Sequence, residues 1–452
     1  MSGSLERKHG SEDDEGHPTG TSDDYHDTDV FGREDNATIK YKTLSWQMCS
    51  VLMIAEIVSN GMLSLPAALA VVGIVPGLLL IAFLGIFALY TSLVLVDFKL
   101  RHPEVHNMGD AGMIMGGPVL REILSAGTVI FAVFATGSQL LAGQIALSTL
   151  SDNKLCLMIY TGIFAVPTFL VSLFRTLDHL SLLSVLACIG ILAAGIVGMA
   201  GAGAISSPQP IETAKPSDFY HAFLAITNPV FSYAGHFMFF ILISEMSQPK
   251  DAKKAAWTLQ IFATTVYCVF AAVMYVYLGD GIASPAFSSL PSHWSKAAYG
   301  IALPNFLIAG SLYAHTAAKL FFVRLFRRPA RSRHLHHHTL LGWAVWAALV
   351  LLMNAAAFVL AVGVPIFAYL VSIAASLFAS WYTYGIAGAF WLFDAWHDHA
   401  GWVAYRQRWG MCLLNCATFL AGFFICVAGM YISIKLIVDA YSSGAVGEPF
   451  SC

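Results

Sequence analysis

The stretch AEIVSNGMLSLP, residues Ala55 to Pro66, lies inside an apolar run that is long enough to cross a bilayer. It contains a carboxylate, a Ser-Asn-Gly sequence and a proline, which are residues able to interrupt a helix. Peptide groups released by an unwound turn are tolerated at membrane depth only where protein or a polar ligand takes up their hydrogen bonds. The stretch therefore predicts a broken membrane helix that borders a polar site.

The composition of the whole chain is typical of an all-α polytopic membrane protein. Of its 452 residues, 57% are hydrophobic and 11% are charged. A helix needs about 20 residues to cross the hydrocarbon core, and eleven apolar runs meet this requirement. The predicted spans are 44–72, 74–97, 119–150, 155–174, 178–203, 218–244, 257–279, 297–323, 340–361, 363–393 and 410–438. The eight cysteines lie mostly inside these runs without a Cys-x-x-Cys pair, so we expect them to be packing residues.

A second interruption lies in the sixth span, DFYHAFLAITNPVFSYAGHFMFFILISEM, at Asn228-Pro229 and at Gly235-His236. Spans one to five and six to ten begin on opposite sides of the membrane, so each interruption lies in the leading helix of one half of an inverted five-plus-five repeat. One interruption alone is as readily a proline or glycine kink. Two at matching places indicate the binding site of a secondary transporter.

The ends of the half-helices suggest what such a site binds. Free N–H groups at the start of a half-helix attract a carboxylate, and exposed carbonyls at the end of another accept from an ammonium group. A zwitterionic amino acid matches that pair of ends. No arginine, and no lysine away from a helix end, is placed to neutralise an acidic side chain, which favours a neutral substrate. The predicted substrate contacts, mostly through backbone groups, are Ser59, Asn60, Gly61, Met62, Leu63, Phe231, Ser232, Tyr233 and Ala234, although the two aromatic rings could instead be packing residues.

The two interrupted segments resemble the motifs of a known family. SNGMLSLPAALAVVGIVPG is similar to the first-helix motif of the amino acid/auxin permease family, and FSYAGHFMFFILISEM to its sixth-helix motif. The resemblance covers about residues 40 to 440 and is nearest to the fungal neutral amino acid permeases of the methyltryptophan-resistance type. It implies a leucine-transporter-like inverted repeat with broken helices one and six, an eleventh helix, and secondary uptake of neutral amino acids. Asn60 departs from the family pattern, in which glycine or another small residue is more usual.

Glu56 is the candidate for coupling transport to a proton. It lies one helical turn before Asn60 and shares its face. Burial favours the protonated form of a carboxyl group, so Glu56 could load a proton outside and release it inside. It could also be a protonated structural residue. His236, beside the second break, could bond released carbonyls or relay a proton, and a structural role is the stronger expectation.

The eighth span carries a second group of candidates for ion coupling. Ser311, His315 and Thr316 lie within reach of one another along one side of the helix, and the resemblance implies that this helix faces the first. Sodium would need several oxygen ligands, which the sequence cannot count. We favour a proton because Glu56 titrates and because the resemblance implies proton-coupled fungal relatives. Lys319 is expected to snorkel to the membrane edge.

Basic residues predict the orientation and the tails. With a cytoplasmic N-terminus, fourteen lysines and arginines lie in short inner loops and three, Lys154, Lys215 and Lys296, lie outside, the bias typical of inner loops. The transmembrane domain is predicted over residues 39–440. It follows an acidic tail, residues 1–38, which we expect to be disordered, and it precedes a short outer tail, residues 441–452. The plasma membrane is the preferred location and the vacuolar membrane the alternative.

Three other functions compete with proton-coupled symport. The His-rich segments RHLHHH and HDH suggest a di-iron lipid desaturase, but two metals need several histidine boxes, so we expect no enzyme, metal or cofactor. A sensor that binds an amino acid without accumulating it would have the same breaks. A sodium-coupled amino acid transporter remains the third alternative.

Overall fold

The computed structural model describes residues 30–31, 34, 37–205, 211–364, 367–398 and 401–442. In this part of the chain the ordered elements are helices, apart from one isolated bridge between Leu44 and Met246. The predicted tails, residues 1–38 and 441–452, lie almost wholly outside the described residues, so their boundaries and character stay predictions.

Eleven apolar spans cross the described structure, which confirms the predicted number. Ten are long enough to cross a membrane and the fourth has 16 residues. They are α1a Trp46–Ile57 with α1b Leu65–Val72, α2 Ile74–Arg101, α3 Met108–Leu150, α4 Leu157–Ser172, α5 Leu177–Ile205, α6a Phe219–Ser232 with α6b Phe239–Ser244, α7 Ala252–Leu278, α8 Ser292–Phe326, α9 Leu340–Gly363, α10 Tyr369–His397 and α11 Trp409–Ser442.

Local sequence sets the ends of several helices. The side chains of Ser45, Asp218 and Thr339 accept a hydrogen bond from a backbone N–H in the first turn of α1a, α6a and α9, respectively, as expected of N-cap residues. Gly73 separates α1b from α2 with a φ of +90°, and a Cβ at this position would lie 2.7 Å from the Cα of Ala214. Only glycine fits there, which explains how two spans follow each other with a single residue between them.

The first and sixth spans run antiparallel to each other. The N–H of Leu44, just before α1a, donates to the Glu245 carbonyl at 3.0 Å, just after α6b. At the other end, the N–H of Lys215 donates to the Val72 carbonyl at 3.0 Å, so the end of α1b lies beside the start of α6a. This is the relation that an inverted repeat requires. We call the face that carries Leu44 the N-side face, and the opposite one the far face.

The spans pack in two groups around the broken helices. The first group, α1, α2, α6 and α7, holds both broken helices, and the second, α3, α4, α8 and α9, packs against it, with α5 lying against α1a and α8. The most apolar windows of α1 and α6 are 89% and 94% buried, whereas that of α11 is 22% buried. The breaks therefore lie at the centre of the molecule, where side chains from both groups reach them.

One cysteine differs from its predicted role. Cys156, at the N-terminal end of α4 on the far face, is disulfide-bonded. The prediction that all eight cysteines are packing residues is wrong for this residue.

Candidate functional site at the two helix breaks

Both broken helices are present, and the position of the second break is narrower than predicted. The first helix ends at Ile57 and resumes as a 3₁₀ turn at Asn60–Ser64. Pro66 lies in the first turn of α1b, where a missing N–H costs nothing. The sixth span remains helical through Asn228 and Pro229 and unwinds only after Ser232, so the predicted interruption at Asn228-Pro229 is wrong and the one at Gly235-His236 is confirmed.

The two breaks touch each other. The hydroxyl of Ser232 lies 2.9 Å from the Gly61 carbonyl, and the side-chain amide of Asn228 donates to the Ser64 carbonyl at 3.3 Å. A Cβ on Gly61 would lie 3.0 Å from the Cα of Ser232, so the two segments are in close contact at this glycine. The residues predicted from two distant segments therefore form one site.

Side chains from α7 and α8 take up carbonyls that the broken first helix releases. The Tyr267 hydroxyl lies 2.7 Å from the carbonyl of Ile57 and 2.7 Å from that of Ser232, so one donor serves both breaks. Asn305 donates to the Ala55 carbonyl at 3.2 Å, and Tyr313 to that of Glu56 at 3.0 Å. Carbonyls in the last turn of a helix have no partner within it. These three donors were not predicted from the sequence. The one sequence feature that could have identified them is a polar group inside a long apolar span.

The third span anchors the side chains of the first break. The hydroxyl of Ser59 donates to Gln139 at 3.1 Å, and the Asn60 amide donates to Ser138 at 3.0 Å and accepts from Gln139 at 3.1 Å. This gives Asn60 a role that a small residue could not fill. Because the side chains of Ser59 and Asn60 are hydrogen-bonded to α3, the first break presents backbone groups to a ligand. Ser138 and Gln139 were also not predicted as site residues from the sequence.

Some backbone groups of the breaks remain unpaired. Within the part of the chain that the structure describes, the N–H groups of Asn60 and Gly61 and the carbonyl of Ala234 form no hydrogen bond. The nine predicted contact residues are all buried. A closed site with free donors at one break and a free acceptor at the other can satisfy a carboxylate and an ammonium group.

Tyr233 does not present its hydroxyl to this site. The hydroxyl lies 3.1 Å from the Ile81 carbonyl of α2 and 3.1 Å from the Thr264 hydroxyl of α7. Its ring packs edge-on against Tyr267 with centroids 5.1 Å apart. The side chain of Tyr233 thus fixes the second break to its neighbours, and only its backbone is available to a substrate.

Glu56 extends from the first broken helix towards the second. Its side chain is buried, with 1% of the residue exposed, and neither carboxyl oxygen has a hydrogen-bond partner among the described residues. A Cβ built on Gly235 would lie 3.3 Å from Oε1 of Glu56, which locates the carboxyl group beside the second break. Burying a carboxyl group without a hydrogen-bond partner costs free energy. The presence of Glu56 at this position is therefore better explained by function than by stability.

His236 fixes the second break to α2. Its Nε2 lies 2.9 Å from the Ala88 carbonyl and 3.1 Å from the Ser92 hydroxyl. The ring stacks on Phe239 with centroids 4.8 Å apart. These contacts agree with the structural role that we expected to be the stronger one.

The three candidates on α8 do not face the first helix together. The hydroxyl of Ser311 lies 3.1 Å from the Thr168 carbonyl of α4, and that of Thr316 donates to its own helix at Leu312. His315 packs edge-on against Trp346 of α9 at 5.1 Å. The hydrogen bonds from α8 to α1 come instead from Asn305 and Tyr313, so Ser311 and His315 do not form the expected cluster opposite α1.

A buried ionic cluster closes the N-side face below the breaks. Lys319 of α8 is 1% exposed and pairs with the carboxylate of Glu245, which follows α6b and is fully buried. The Lys319 ammonium lies 4.8 Å from the ring centroid of Tyr41, and Arg175 donates to the His334 carbonyl at 2.8 Å. We call Tyr41, Arg175, Glu245 and Lys319 the N-side cluster. The prediction that Lys319 snorkels is wrong, because Glu245 supplies a partner charge inside the protein.

The fold with its two paired breaks is a leucine-transporter-like inverted repeat. Two solved structures share this fold with the chain. A nucleobase-cation-symport-1 family transporter, in a closed conformation with bromovinylhydantoin bound, has a TM-score of 0.50 and 16% identity over 92% of this chain and 96% of that one. A Na⁺-coupled sialic acid symporter in a substrate-bound outward-open state has a TM-score of 0.55 and 9% identity over 87% of this chain and 91% of that one.

The chain belongs to the transmembrane amino acid transporter protein family, whose model matches residues 42–435. Two fungal relatives each share 30% of their residues with it. One, a transmembrane transporter of Gibberella moniliformis, aligns over 94% of this chain and 90% of its own length. The other, an N amino acid transport system protein of Neurospora crassa, aligns over 91% and 89%. Membership confirms the predicted family and assigns the chain to amino acid transport across a membrane rather than to lipid desaturation.

Proposed function

We propose that the protein is a proton-coupled symporter of neutral L-amino acids, aliphatic and aromatic, that works by alternating access around the two breaks. The observation that carries the proposal is the combination of unpaired backbone groups at both breaks with one unpartnered carboxyl group, that of Glu56, directed from one break to the other.

The neutral substrate follows from the charges at the site. The free N–H groups of Asn60 and Gly61 suit the substrate carboxylate, and the carbonyl of Ala234 suits its ammonium group. Among the described residues, no lysine or arginine donates a hydrogen bond to any residue of the two breaks. An acidic substrate side chain would therefore be buried without a counter-charge, which is strongly unfavourable.

Proton coupling is supported by the chemistry of Glu56. A carboxyl group that is buried without a partner is neutral unless water or a cation reaches it. Opening the site to an acidic compartment would let the group take up a proton, and opening it to a neutral one would let the group lose that proton. The hydroxyl of Ser311 is directed at the Thr168 carbonyl of α4, so this side chain lies away from a sodium site opposite α1.

Alternating access is supported by the position of the N-side cluster. Glu245 belongs to the group of helices that contains both breaks, and Lys319 belongs to the other group. Opening the site towards the N-side face would separate these two charges. The ion pair would then act as a latch that stabilises the closed conformation described here.

We further propose a cytoplasmic N-terminus and a location in the plasma membrane. The short loops at the N-side face carry most of the basic residues, and positive loops are retained in the cytoplasm. The disulfide at Cys156 lies on the far face, and disulfides persist in oxidising compartments. The vacuolar membrane remains the alternative location.

The test is uptake of a labelled amino acid panel into proteoliposomes under separate proton and sodium gradients. We expect neutral amino acids to accumulate under the proton gradient alone. Accumulation driven only by sodium would refute proton coupling. Saturable binding without accumulation under either gradient would show that the protein is a sensor.

A further inference from the structure

A cavity opens on the N-side face, away from the helix breaks. It has a volume of about 730 Å³ and lies where the start of α3 meets the end of α8 and the flank of α9. None of its lining residues belongs to either break or to the N-side cluster. The transport mechanism proposed above therefore leaves this cavity without a role.

The mouth of the cavity carries an excess of positive charge. Five arginines line it: Arg121, Arg324, Arg327, Arg328 and Arg331. Two carboxylates offset part of that charge. Glu122 accepts from Arg324 at 2.9 Å and from Arg121 at 3.1 Å, and Asp110 accepts from Arg327 at 3.0 Å.

Two of the guanidinium groups lack a carboxylate partner. Arg328 and Arg331 are exposed, and neither forms an ion pair within the described residues. A guanidinium group presents a planar fork of donors that matches the oxygens of a phosphate group. These two arginines are thus available to an anion that enters the cavity.

Part of the wall of the same cavity is apolar. Phe321 and Leu325 lie in the last two turns of α8, and Leu325 is 44% exposed. Leu349 lies nine residues after Leu340, at which α9 begins, so it is about 13 Å along the helix at about 1.5 Å per residue. A soluble anion would leave this apolar wall uncovered, whereas an acyl chain would cover it.

We propose that this cavity binds an anionic phospholipid of the leaflet at the N-side face. Arg328 and Arg331 hold the headgroup phosphates, and an acyl chain lies along Phe321, Leu325 and Leu349. The proposal stands independently of substrate and coupling, because it involves neither helix break.

The experiment titrates the purified full-length protein with phosphatidylinositol phosphate and reads the lipid-bound fraction by native mass spectrometry. Phosphatidylcholine, which is zwitterionic with no net charge, serves as the comparison for charge, and the free inositol phosphate headgroup as the soluble comparison. The test variant is Arg328→Gln with Arg331→Gln. The matched control is Lys250→Gln with Arg333→Gln, which removes the same charge from exposed positions of the same face. Both variants must match the wild type in size-exclusion elution volume and in melting temperature.

We expect the wild type to prefer the anionic lipid over both comparisons. Arg328 and Arg331 line the cavity and Lys250 and Arg333 do not. At about 1 kcal/mol, or about fivefold, for each guanidinium group that contacts the headgroup, the test variant should bind about twenty-five-fold more weakly and the control should change little. Equal losses in both variants would overturn the proposal, since binding would then report only the charge of the face. Headgroup binding as tight as lipid binding would indicate a soluble phosphate instead. Lipid binding that appears only after deletion of residues 1–29 would mean that the acidic tail occupies the cavity, and would also overturn the proposal.

Discussion

Replacing Glu56 by glutamine should abolish proton-driven accumulation while sparing exchange of substrate. Glutamine has nearly the shape of the glutamic acid side chain but does not titrate. Among the described residues, Glu56 is the one carboxylate located between the breaks, which predicts one proton per transport cycle. One pH unit across the membrane corresponds to about 1.4 kcal/mol per proton. At zero membrane potential, the wild type can therefore concentrate its substrate at most about tenfold per pH unit, and Glu56→Gln should reach a ratio of about one.

The assay uses proteoliposomes with a set pH difference and with the membrane potential held at zero by potassium and valinomycin. Net accumulation is measured beside counterflow exchange, which requires binding and alternating access but no net proton movement. Glu104→Gln is the matched control, because this carboxylate lies in the loop after α2 and its side chain is 48% exposed. Undiminished accumulation by Glu56→Gln would show that Glu56 is structural. Loss of exchange together with accumulation would assign it to substrate binding instead of coupling.

Three further variants test the contacts around the site. Tyr267→Phe removes the donor that two breaks share and should lower stability by about 1–2 kcal/mol; a melting temperature equal to that of the wild type would contradict this. Lys319→Met leaves the buried carboxylate of Glu245 unpaired and should cost about 3–5 kcal/mol, while Lys319→Met with Glu245→Leu should recover much of that loss in the same thermal assay. His106, in the loop between α2 and α3, has its pKa held well below its usual value by burial. At pH values below about 6.5, the folded state therefore binds fewer protons than the unfolded state. The stability of the wild type should fall more steeply on acidification than that of His106→Phe. Melting curves of both proteins at about pH 7.5 and about pH 5.5 would show this difference.

Local chemistry made the breaks predictable. Ser59, Asn60 and Gly61 interrupt a helix by their own conformational preferences, and so does the Gly235-His236 pair. Apolar length and basic loops likewise depend on short segments, so the number of spans followed from the sequence. Asn228-Pro229 shows where local reasoning failed, because a proline inside a membrane helix is tolerated when neighbouring groups satisfy the freed carbonyl.

Contacts between distant spans could not be predicted in the same way. Nothing near Tyr267 in the sequence indicates that its hydroxyl reaches both Ile57 and Ser232. Ser311 and His315 share a helical side, but which neighbour that side meets depends on the rotation of α8 within the bundle. Lys319 looked like a residue at a membrane edge only because its partner, Glu245, is 74 positions away in the chain.

The sequence by itself determined that this protein has eleven apolar spans, that two matching helices are broken, and that a carboxylate accompanies the first break. These properties reside in single segments, where composition and backbone preference act without reference to the rest of the chain. Only the tertiary structure decided that the breaks meet, that Glu56 extends from one to the other, and that Lys319 closes the N-side face. Those outcomes depend on how antiparallel helices pack, because a buried polar group takes its role from the partner that packing brings within reach.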